Sequence, residues 1–296
     1  MAVGRFAPSP TGPLHIGSLV AAVGSWLMAK RGGGRWLLRI DDLDRERCRP
    51  EFEDDILRTL ERFGLYWDGA LTRQSENGSA YAEAFERLRQ SGLVYPCGCS
   101  RAEIARTASA PHPGEEIPYP GTCRQGLAEG KQPRCWRLAT VGQRVVFDDL
   151  RHGRIEVDLE QSGDFVLKRV EGYFAYQLAV VVDDRLSGID QVVRGDDLLD
   201  STPRQVLLHR LLGWPLPQYC HLPLVTGPQG GKLSKRDNTV SLADGRCVGR
   251  ESELLVWVLG FLGLGLPDEL RGAGCSELLC WALEAFEPEG VPRSGG

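Results

Sequence analysis

A histidine among turn-forming residues is the first group in this chain that could do chemistry. His15 lies in the stretch PSPTGPLHIGS, residues 8–18, between an apolar run that predicts a strand and a segment whose apolar spacing predicts a helix. A helix start offers free N–H groups to a phosphate, and Gly17 lets that phosphate approach the backbone. His15 can donate a hydrogen bond to a phosphoryl oxygen that gains charge. A lone His-x-Gly is more often an ordinary turn, but this placement favours a phosphate-binding loop.

A second stretch, GGKLSKR at residues 230–236, places three cations within five positions. Lys232, Lys235 and Arg236 could together clamp a polyphosphate, because ammonium and guanidinium groups pair with phosphate oxygens. A short basic loop is usually only solvated surface. This one gains weight from the His15 stretch and from a chain that holds only five lysines.

Three cysteines form a candidate metal site. Cys97 and Cys99 are two positions apart, and Cys123 follows a Pro/Gly-rich stretch. Zinc prefers thiolates, and a fourth donor completes its tetrahedron; from chemistry alone His112 is the usual choice. The alternative is three unrelated reduced thiols. The other cysteines have no ligand-like partners and are predicted to be structural: Cys48, Cys135, Cys220, Cys247, Cys275 and Cys280.

Strands and helices alternate around these motifs in the first hundred residues. Apolar runs predict strands at residues 3–6 and 35–40. Helical spacing predicts helices at residues 17–30 and 50–63, and a third from Ser79, an N-cap candidate, to Gln90. This alternation predicts an α/β fold with a parallel sheet covered by helices. Ligands of such sheets bind at the carboxyl ends of the strands, where the His15 stretch falls.

The pattern changes at about residue 97. The close cysteines and the strand-like segments at 136–139, 144–147 and 154–159 predict an insertion. It would consist of a metal-binding segment and a small antiparallel sheet. The α/β pattern resumes at 173–182, with a strand at 189–194 and a helix at 202–212. The rest is predicted to be mostly helical, with a disordered tail after Phe286. A catalytic domain is predicted in two halves, residues 1–96 and 164–240. Between the halves lies the insertion, residues 97–163, and a helical C-terminal region follows at residues 241–296.

Composition places the chain among ordinary globular proteins. Its 296 residues suggest about two domains, and 42% apolar with 25% charged residues exclude a disordered or fibrous protein. With a net charge of −5, any contact with nucleic acid must come from local patches. The longest apolar stretch, residues 254–266, is shorter than the roughly 20 residues of a membrane helix. Nine cysteines without a signal peptide indicate a reducing compartment, so we expect a cytoplasmic protein.

The two candidate phosphate-binding stretches together resemble the HIGH and KMSKS signatures of class I aminoacyl-tRNA synthetases. Further stretches are similar to the glutamyl branch of that family: RFAPSPTGPLHIG, RIDDLD at residues 39–44, AYQLAVVVDD at 175–184, VVRGDDLLDSTPRQ at 192–205, and KLSKR. The resemblance runs in order to about residue 240. It implies a Rossmann-type catalytic domain that an insertion splits, in agreement with the organisation above.

Two features resemble the truncated paralogues of that branch, the glutamyl-queuosine tRNA(Asp) synthetases. Ser18 stands where the HIGH signature ends in histidine, and the close cysteine pair followed by YPGTCR at residues 119–124 matches the zinc pattern of these paralogues. The resemblance implies one structural zinc ion with Tyr119 as the fourth ligand, where chemistry alone favours His112. Glutamyl-tRNA synthetases also carry an anticodon-binding domain after KLSKR, and we expect the sixty-odd residues that follow here to be too few for one.

The resemblance also assigns binding residues. Arg5 and Arg194, each at the end of a predicted strand, would pair with carboxylates, and Asp41 would pair with an α-ammonium group. The family usually has Glu at position 41, so the reach of Asp41 is one methylene shorter. The implied glutamate site is Arg5, Phe6, Ala7, Pro8, Ser9, Asp41, Tyr176 and Arg194. The implied site for ATP and pyrophosphate is His15, Gly17, Ser18, Lys232, Ser234, Lys235 and Arg236, with His15, Gly17 and Lys235 catalytic. Mg²⁺ is expected to accompany ATP.

The activity that the resemblance implies is a ligase reaction. ATP activates L-glutamate without tRNA, and the glutamyl group then passes to the cyclopentenediol of queuosine in the anticodon of tRNA(Asp). We expect a monomer. Three alternatives stay open: a minimal glutamyl-tRNA synthetase that charges an acceptor end, a small-molecule nucleotidyltransferase, and a non-catalytic tRNA-binding paralogue.

Overall fold

The computed structural model describes residues 1–107, 117–226, 241–242 and 247–292. The strands in these ranges are β1 (Val3–Phe6), β2 (Arg35–Ile40), β3 (Thr72–Arg73), β4 (Val94–Cys97), β5 (Cys135–Leu138), β6 (Arg144–Asp149), β7 (Gly153–Asp158), β8 (Phe165–Arg169), β9 (Gln191–Gly195) and β10 (Gln218–Leu222). The α-helices are α1 (Ile16–Lys30), α2 (Pro50–Arg62), α3 (Gly78–Gln90), α4 (Arg101–Thr107), α5 (Leu159–Ser162), α6 (Tyr176–Leu186), α7 (Thr202–Leu212), α8 (Glu251–Phe261) and α9 (Cys275–Ala285).

Seven strands form the main sheet in the order β3-β2-β1-β9-β10-β6-β7. All neighbours run parallel except β7, which pairs antiparallel with β6. The chain moves outward from β1 to β2 and β3, then returns to add β9 and β10 on the other side. This places the topological switch point at β1, as in a Rossmann-type sheet, and it confirms the predicted fold class.

The core forms because β1, β2 and α1 pack their apolar side chains against one another. Trp36, Leu38 and Ile40 alternate along β2 and are fully buried. Helix α1 packs on β1 and β9, and a Cβ at Gly24 would lie 2.5 Å from a methyl carbon of Leu222 on β10. The Leu222 side chain would have to move to admit a side chain at position 24, so glycine there allows α1 to pack closely on the sheet. Helices α8 and α9 cover the other side of α1 in the same core.

A second sheet holds three antiparallel strands in the order β4-β5-β8. It begins at Val94 and ends at Arg169, so its limits differ from the predicted insertion boundaries of 97 and 163. The hairpin β6–β7, predicted as part of a small separate sheet, instead extends the main sheet through β10. The segment between residues 97 and 163 therefore contributes to both sheets.

Several element ends differ from the sequence prediction. Helix α3 is preceded by Asn77, so Ser79 lies inside the helix and does not cap it. Helix α6 begins at Tyr176, inside the segment 173–182 where the α/β pattern was predicted to resume. The tail was predicted to be disordered after Phe286, but residues 288–290 form a 3₁₀ turn and Val291 is buried. Among the described residues, no helix is both long and apolar enough to span a membrane.

Candidate active site

A cleft of about 430 Å³ lies where β1, β2, β9 and β10 end. Parallel strands leave such a crevice at the switch point, because the connections on either side of β1 diverge. Residues predicted for two different ligands meet here: Arg5, Phe6, Ala7, Pro8, Ser9, His15, Gly17, Ser18, Asp41, Tyr176 and Arg194. Both the glutamate set and the described part of the ATP set thus line one cleft.

The basic GGKLSKR motif, residues 230–236, falls outside the described residues. Lys232, Ser234, Lys235 and Arg236 therefore have no structural account here. On the near side of that motif, Val225 lines the cleft. On the far side, Ser241 forms a β-bridge with His15.

His15 occupies the cap position of α1, at the base of the cleft. Its Nδ1 accepts a hydrogen bond of 3.3 Å from the backbone N–H of Ser18. A neutral imidazole that accepts at Nδ1 carries its proton on Nε2, so Nε2 is the donor. A Cβ at Gly17 would lie 3.2 Å from two ring atoms of His15, so glycine leaves room for the imidazole. The local sequence therefore fixes both the ring position and its donor atom.

A buried network, which we call the charge cluster, joins Arg5, Arg39 and Asp41, which line the cleft, to Asp184, which does not. Asp184 Oδ1 accepts from Arg5 Nε at 3.0 Å and from Arg39 Nη1 at 2.6 Å. Arg39 Nε in turn donates to Asp41 Oδ1 at 2.7 Å. Each of the four side chains is at most 7% exposed, so these ion pairs are largely shielded from water.

The two acids of this cluster have opposite pKa shifts. Burial raises the pKa of Asp41 to about 6, although Arg39 opposes that shift. Burial also acts on Asp184, but Arg5 and Arg39 outweigh it and hold the pKa at about 2. Asp184 is therefore a permanent anion between two arginines, whereas Asp41 titrates close to neutral pH.

Arg194, at the end of β9, is held by neutral groups. Its Nη2 donates to Thr202 Oγ1 at 2.6 Å, and its Nε donates to His221 Nε2 at 3.2 Å. Its Nη1 lies 3.5 Å from the hydroxyl of Tyr176, which lines the cleft beside it. Arg194 thus presents a full positive charge at the cleft wall.

Sequence reasoning missed part of this arrangement. Arg39 and Asp184 were within quoted motifs but had no assigned role. Both could have been noticed as charges in otherwise apolar elements, RWLLRI and AYQLAVVVDD, since a buried charge needs a partner. Asp183, next in the same helix, accepts hydrogen bonds from Gln74 at 2.7 Å, Asn77 at 2.8 Å and the Tyr81 hydroxyl, and so anchors the start of α3.

A second site, the thiol cluster, holds Cys97, Cys99, Cys123 and Tyr119. The three sulfur atoms lie within 4.8 Å of one another, with Cys99 and Cys123 at 3.6 Å. Tetrahedral zinc with bonds of about 2.3 Å separates its sulfur ligands by about 3.8 Å, so the spacing fits zinc. The hydroxyl oxygen of Tyr119 lies 3.2 Å from Cys97 Sγ and 3.5 Å from Cys99 Sγ, where a fourth donor belongs. His112, the other candidate donor, is outside the described residues.

Groups around the thiol cluster complement its charge. The guanidinium of Arg137 lies 4.0 Å from the centre of the Tyr119 ring, and its Nη1 donates to the backbone oxygen of Asp164 at 2.8 Å. A buried cation here offsets the negative charge of thiolates around a divalent ion. Cys135 lies opposite Cys97 in the β4–β5 pair, but it is not one of the three cysteines whose sulfur atoms are spaced to bind a metal ion.

Comparison with known proteins agrees with this architecture. The model of the class I tRNA synthetases (E and Q), catalytic domain, matches residues 1–271. The glutamyl-Q tRNA(Asp) synthetase of Geobacter sulfurreducens is 59% identical over 99% of this chain and 94% of the relative. That of Dechloromonas aromatica is 51% identical over 98% and 95%. The chain belongs to the glutamyl-Q tRNA(Asp) synthetase family of class I tRNA synthetases.

A solved structure gives the same result for the fold. A glutamate tRNA ligase from Elizabethkingia meningosepticum, in complex with its amino acid, superposes with a TM-score of 0.79 at 25% identity. The match covers all of this chain and 66% of the ligase. Membership in the family confirms that the chain is an enzyme of the ligase class, which rules out the nucleotidyltransferase and the non-catalytic paralogue.

Proposed function

We propose that this enzyme joins L-glutamate to queuosine of tRNA(Asp) in two steps. In the first, a glutamate α-carboxylate oxygen attacks the α-phosphorus of ATP, a P–O bond forms, and pyrophosphate leaves. In the second, a hydroxyl of the queuosine cyclopentenediol attacks the acyl carbon, an ester forms, and AMP leaves. The observation that carries the proposal is one cleft that unites His15 with Arg5, Arg194 and Asp41.

Glutamate presents two carboxylates and one ammonium group, and the cleft offers matching charges. Arg5 and Arg194 supply guanidinium groups for the carboxylates, Asp41 supplies an anion for the ammonium group, and Tyr176 supplies a hydroxyl donor. Phe6, Ala7, Pro8 and Ser9 form the wall between them. Because the pKa of Asp41 is about 6, its ionised fraction falls below one half under pH 6, and binding of the ammonium group should weaken there.

ATP would lie across the start of α1. The Nε2–H of His15 would donate to a phosphate oxygen, and the backbone at Gly17 and Ser18 would leave room for the triphosphate. Lys232, Ser234, Lys235 and Arg236 would bind the departing pyrophosphate, with Mg²⁺ bound to ATP supplying further positive charge. No protein nucleophile is required, so catalysis consists of positioning and charge stabilisation.

The thiol cluster would hold one structural zinc ion. Cys97, Cys99 and Cys123 would be thiolate ligands, and Tyr119 would be the fourth ligand. None of these residues lines the cleft, so zinc would stabilise the three-stranded sheet without touching the reacting groups. A monomer in the cytoplasm remains our expectation.

The test is transfer of radiolabelled glutamate to three tRNA samples: tRNA(Asp) with queuosine, tRNA(Asp) without it, and tRNA(Glu). Each sample is used intact, after periodate treatment, and after removal of the terminal adenosine. Label should enter only queuosine-containing tRNA(Asp), should survive loss of the adenosine, and should disappear after periodate, which destroys the diol. Label on the terminal adenosine of tRNA(Glu) would instead establish a minimal glutamyl-tRNA synthetase.

A further inference from the structure

A fully buried histidine lies behind Arg194 and is not part of the cleft wall. His221, on β10, has no exposed surface, and its Nε2 lies 3.2 Å from Arg194 Nε and 2.9 Å from Thr202 Oγ1. On the other side of the ring, Nδ1 lies 2.7 Å from Asp149 Oδ2. The chain Asp149–His221–Arg194 therefore runs from β6 through β10 to β9.

The protonation of His221 follows from its partners. A guanidinium can only donate, so the ring nitrogen that faces Arg194 Nε must carry a lone pair. The single proton of the neutral ring then lies on Nδ1, where it is donated to Asp149. A second ring proton would place two donors and two positive charges face to face in a buried site.

Asp149 is itself fixed by the β6–β7 turn. Its Oδ1 accepts from the backbone N–H groups of Arg151 and His152, both at 3.0 Å. Its Oδ2 accepts from the backbone N–H of His221 at 3.1 Å as well as from the ring. Burial would raise the pKa of Asp149, but these donors outweigh it and lower the pKa, so the carboxylate stays ionised. The hairpin that joins the main sheet thereby sets the tautomer of the ring.

We propose that His221 is a positioning residue for glutamate recognition, with Asp149 setting its tautomer. The proposal rests on the proposed function, in which Arg194 binds a glutamate carboxylate. The lone pair of His221 and the oxygen of Thr202 hold two nitrogens of the guanidinium from behind. Nη1 then keeps its place beside Tyr176, so the arginine is oriented before glutamate arrives.

The test separates the two edges of the ring. Histidine 221 changed to asparagine, H221N, keeps a donor for Asp149 but removes the acceptor for Arg194. Its KM for glutamate in ATP–pyrophosphate exchange should rise about tenfold, as expected for one hydrogen bond to a charged group. Its KM for ATP should change less than about twofold. H221Q places a carbonyl oxygen near the Nε2 position. We therefore expect its KM for glutamate to be close to the wild-type value and well below that of H221N.

A matched control is H209N, because His209 is also a buried histidine but does not line the cleft. It should lose stability without a change in the glutamate KM. A wild-type glutamate KM in H221N, or equal rises for glutamate and ATP, would overturn the proposal. The variant R194K separates a failure of this proposal from a failure of the proposed function. An unchanged glutamate KM in R194K would refute the role of Arg194 in the proposed function. A glutamate KM that rises in R194K but not in H221N would refute only the role of His221.

A measurement on the unaltered protein covers the case in which H221N does not fold. The chain holds five histidines, so long-range ¹H–¹⁵N correlation of a histidine-labelled sample is tractable. His221 should be neutral with its proton on Nδ1. A proton on Nε2, or a doubly protonated ring at pH 7, would contradict the proposed arrangement.

Discussion

The pKa of Asp41 gives the sharpest prediction for glutamate binding. With a pKa of about 6, this carboxyl is about 90% ionised at pH 7 and about 10% ionised at pH 5. Glutamate itself keeps its ammonium group and most of its carboxylate charge over this range. If the ionised form of Asp41 holds the ammonium group, the Kd for glutamate should rise about tenfold from pH 7 to pH 5.

The assay is isothermal titration calorimetry with glutamate, without ATP, between pH 5 and pH 8. D41N should bind weakly with a flat pH profile, and D41E, which restores the usual residue of the family, should bind and still titrate. A wild-type Kd that stays constant to pH 5, or a pH dependence that persists in D41N, would refute the reasoning.

Folding stability provides an independent check, because the contribution of Asp41 to stability should change with pH in the opposite direction to the affinity for glutamate. The folded-state pKa of Asp41 lies above the usual value of 3.8, so between pH 6 and pH 4 the folded state binds more protons than the unfolded state. The contribution of Asp41 to folding therefore becomes more favourable as the pH falls. Urea denaturation should show wild type gaining stability relative to D41N over the range in which glutamate affinity is lost.

Three further predictions concern stability and zinc. D184N leaves two arginines without their shared buried anion and should cost about 3–5 kcal/mol in urea denaturation, whereas D54N, in an exposed ion pair, should cost less than about 0.5 kcal/mol; equal losses would contradict the network. G34A should cost about 1–3 kcal/mol because its Cβ would overlap backbone oxygens, while G32A has open space and should cost less than about 1 kcal/mol; a stable G34A would show that the backbone there can shift. Zinc removal by a chelator should expose the three-stranded sheet to proteolysis, reversibly on adding zinc, without changing the Kd for glutamate; a parallel loss of affinity would place zinc in the active site.

Much of the fold could be predicted because the main strands and helices carry strong local patterns. The bounds of β1, β2 and α7 agree with the apolar runs and helical spacing that indicated them. The β6–β7 hairpin shows the limit. Its alternating pattern indicates two paired strands, but nothing local tells which sheet they extend, since pairing with β10 joins residues about seventy positions apart.

The site shows a similar division. His15 and the cysteines were recognisable because motifs bring chemistry-bearing residues close in sequence. The charge cluster was not, because Arg39 and Asp184 are 145 positions apart and only the fold brings them to 2.6 Å. A buried charge in an apolar element signals that a partner exists, but the sequence does not identify that partner.

Arg5 and Arg194, the two arginines proposed to bind the carboxylates of glutamate, also differ in a way that affects recognition. The charge of Arg5 is shared with the ionised Asp184, whereas the partners of Arg194 among the described residues are neutral: His221, Thr202 and Tyr176. In a buried site the field of a cation depends strongly on whether an anion stands behind it. Arg194 therefore exerts the stronger attraction on a carboxylate, and a neutral His221 preserves that attraction while it orients the guanidinium. A protonated or acidic residue at position 221 would lose one property or the other, since the first could not accept from Arg194 and the second would cancel its charge.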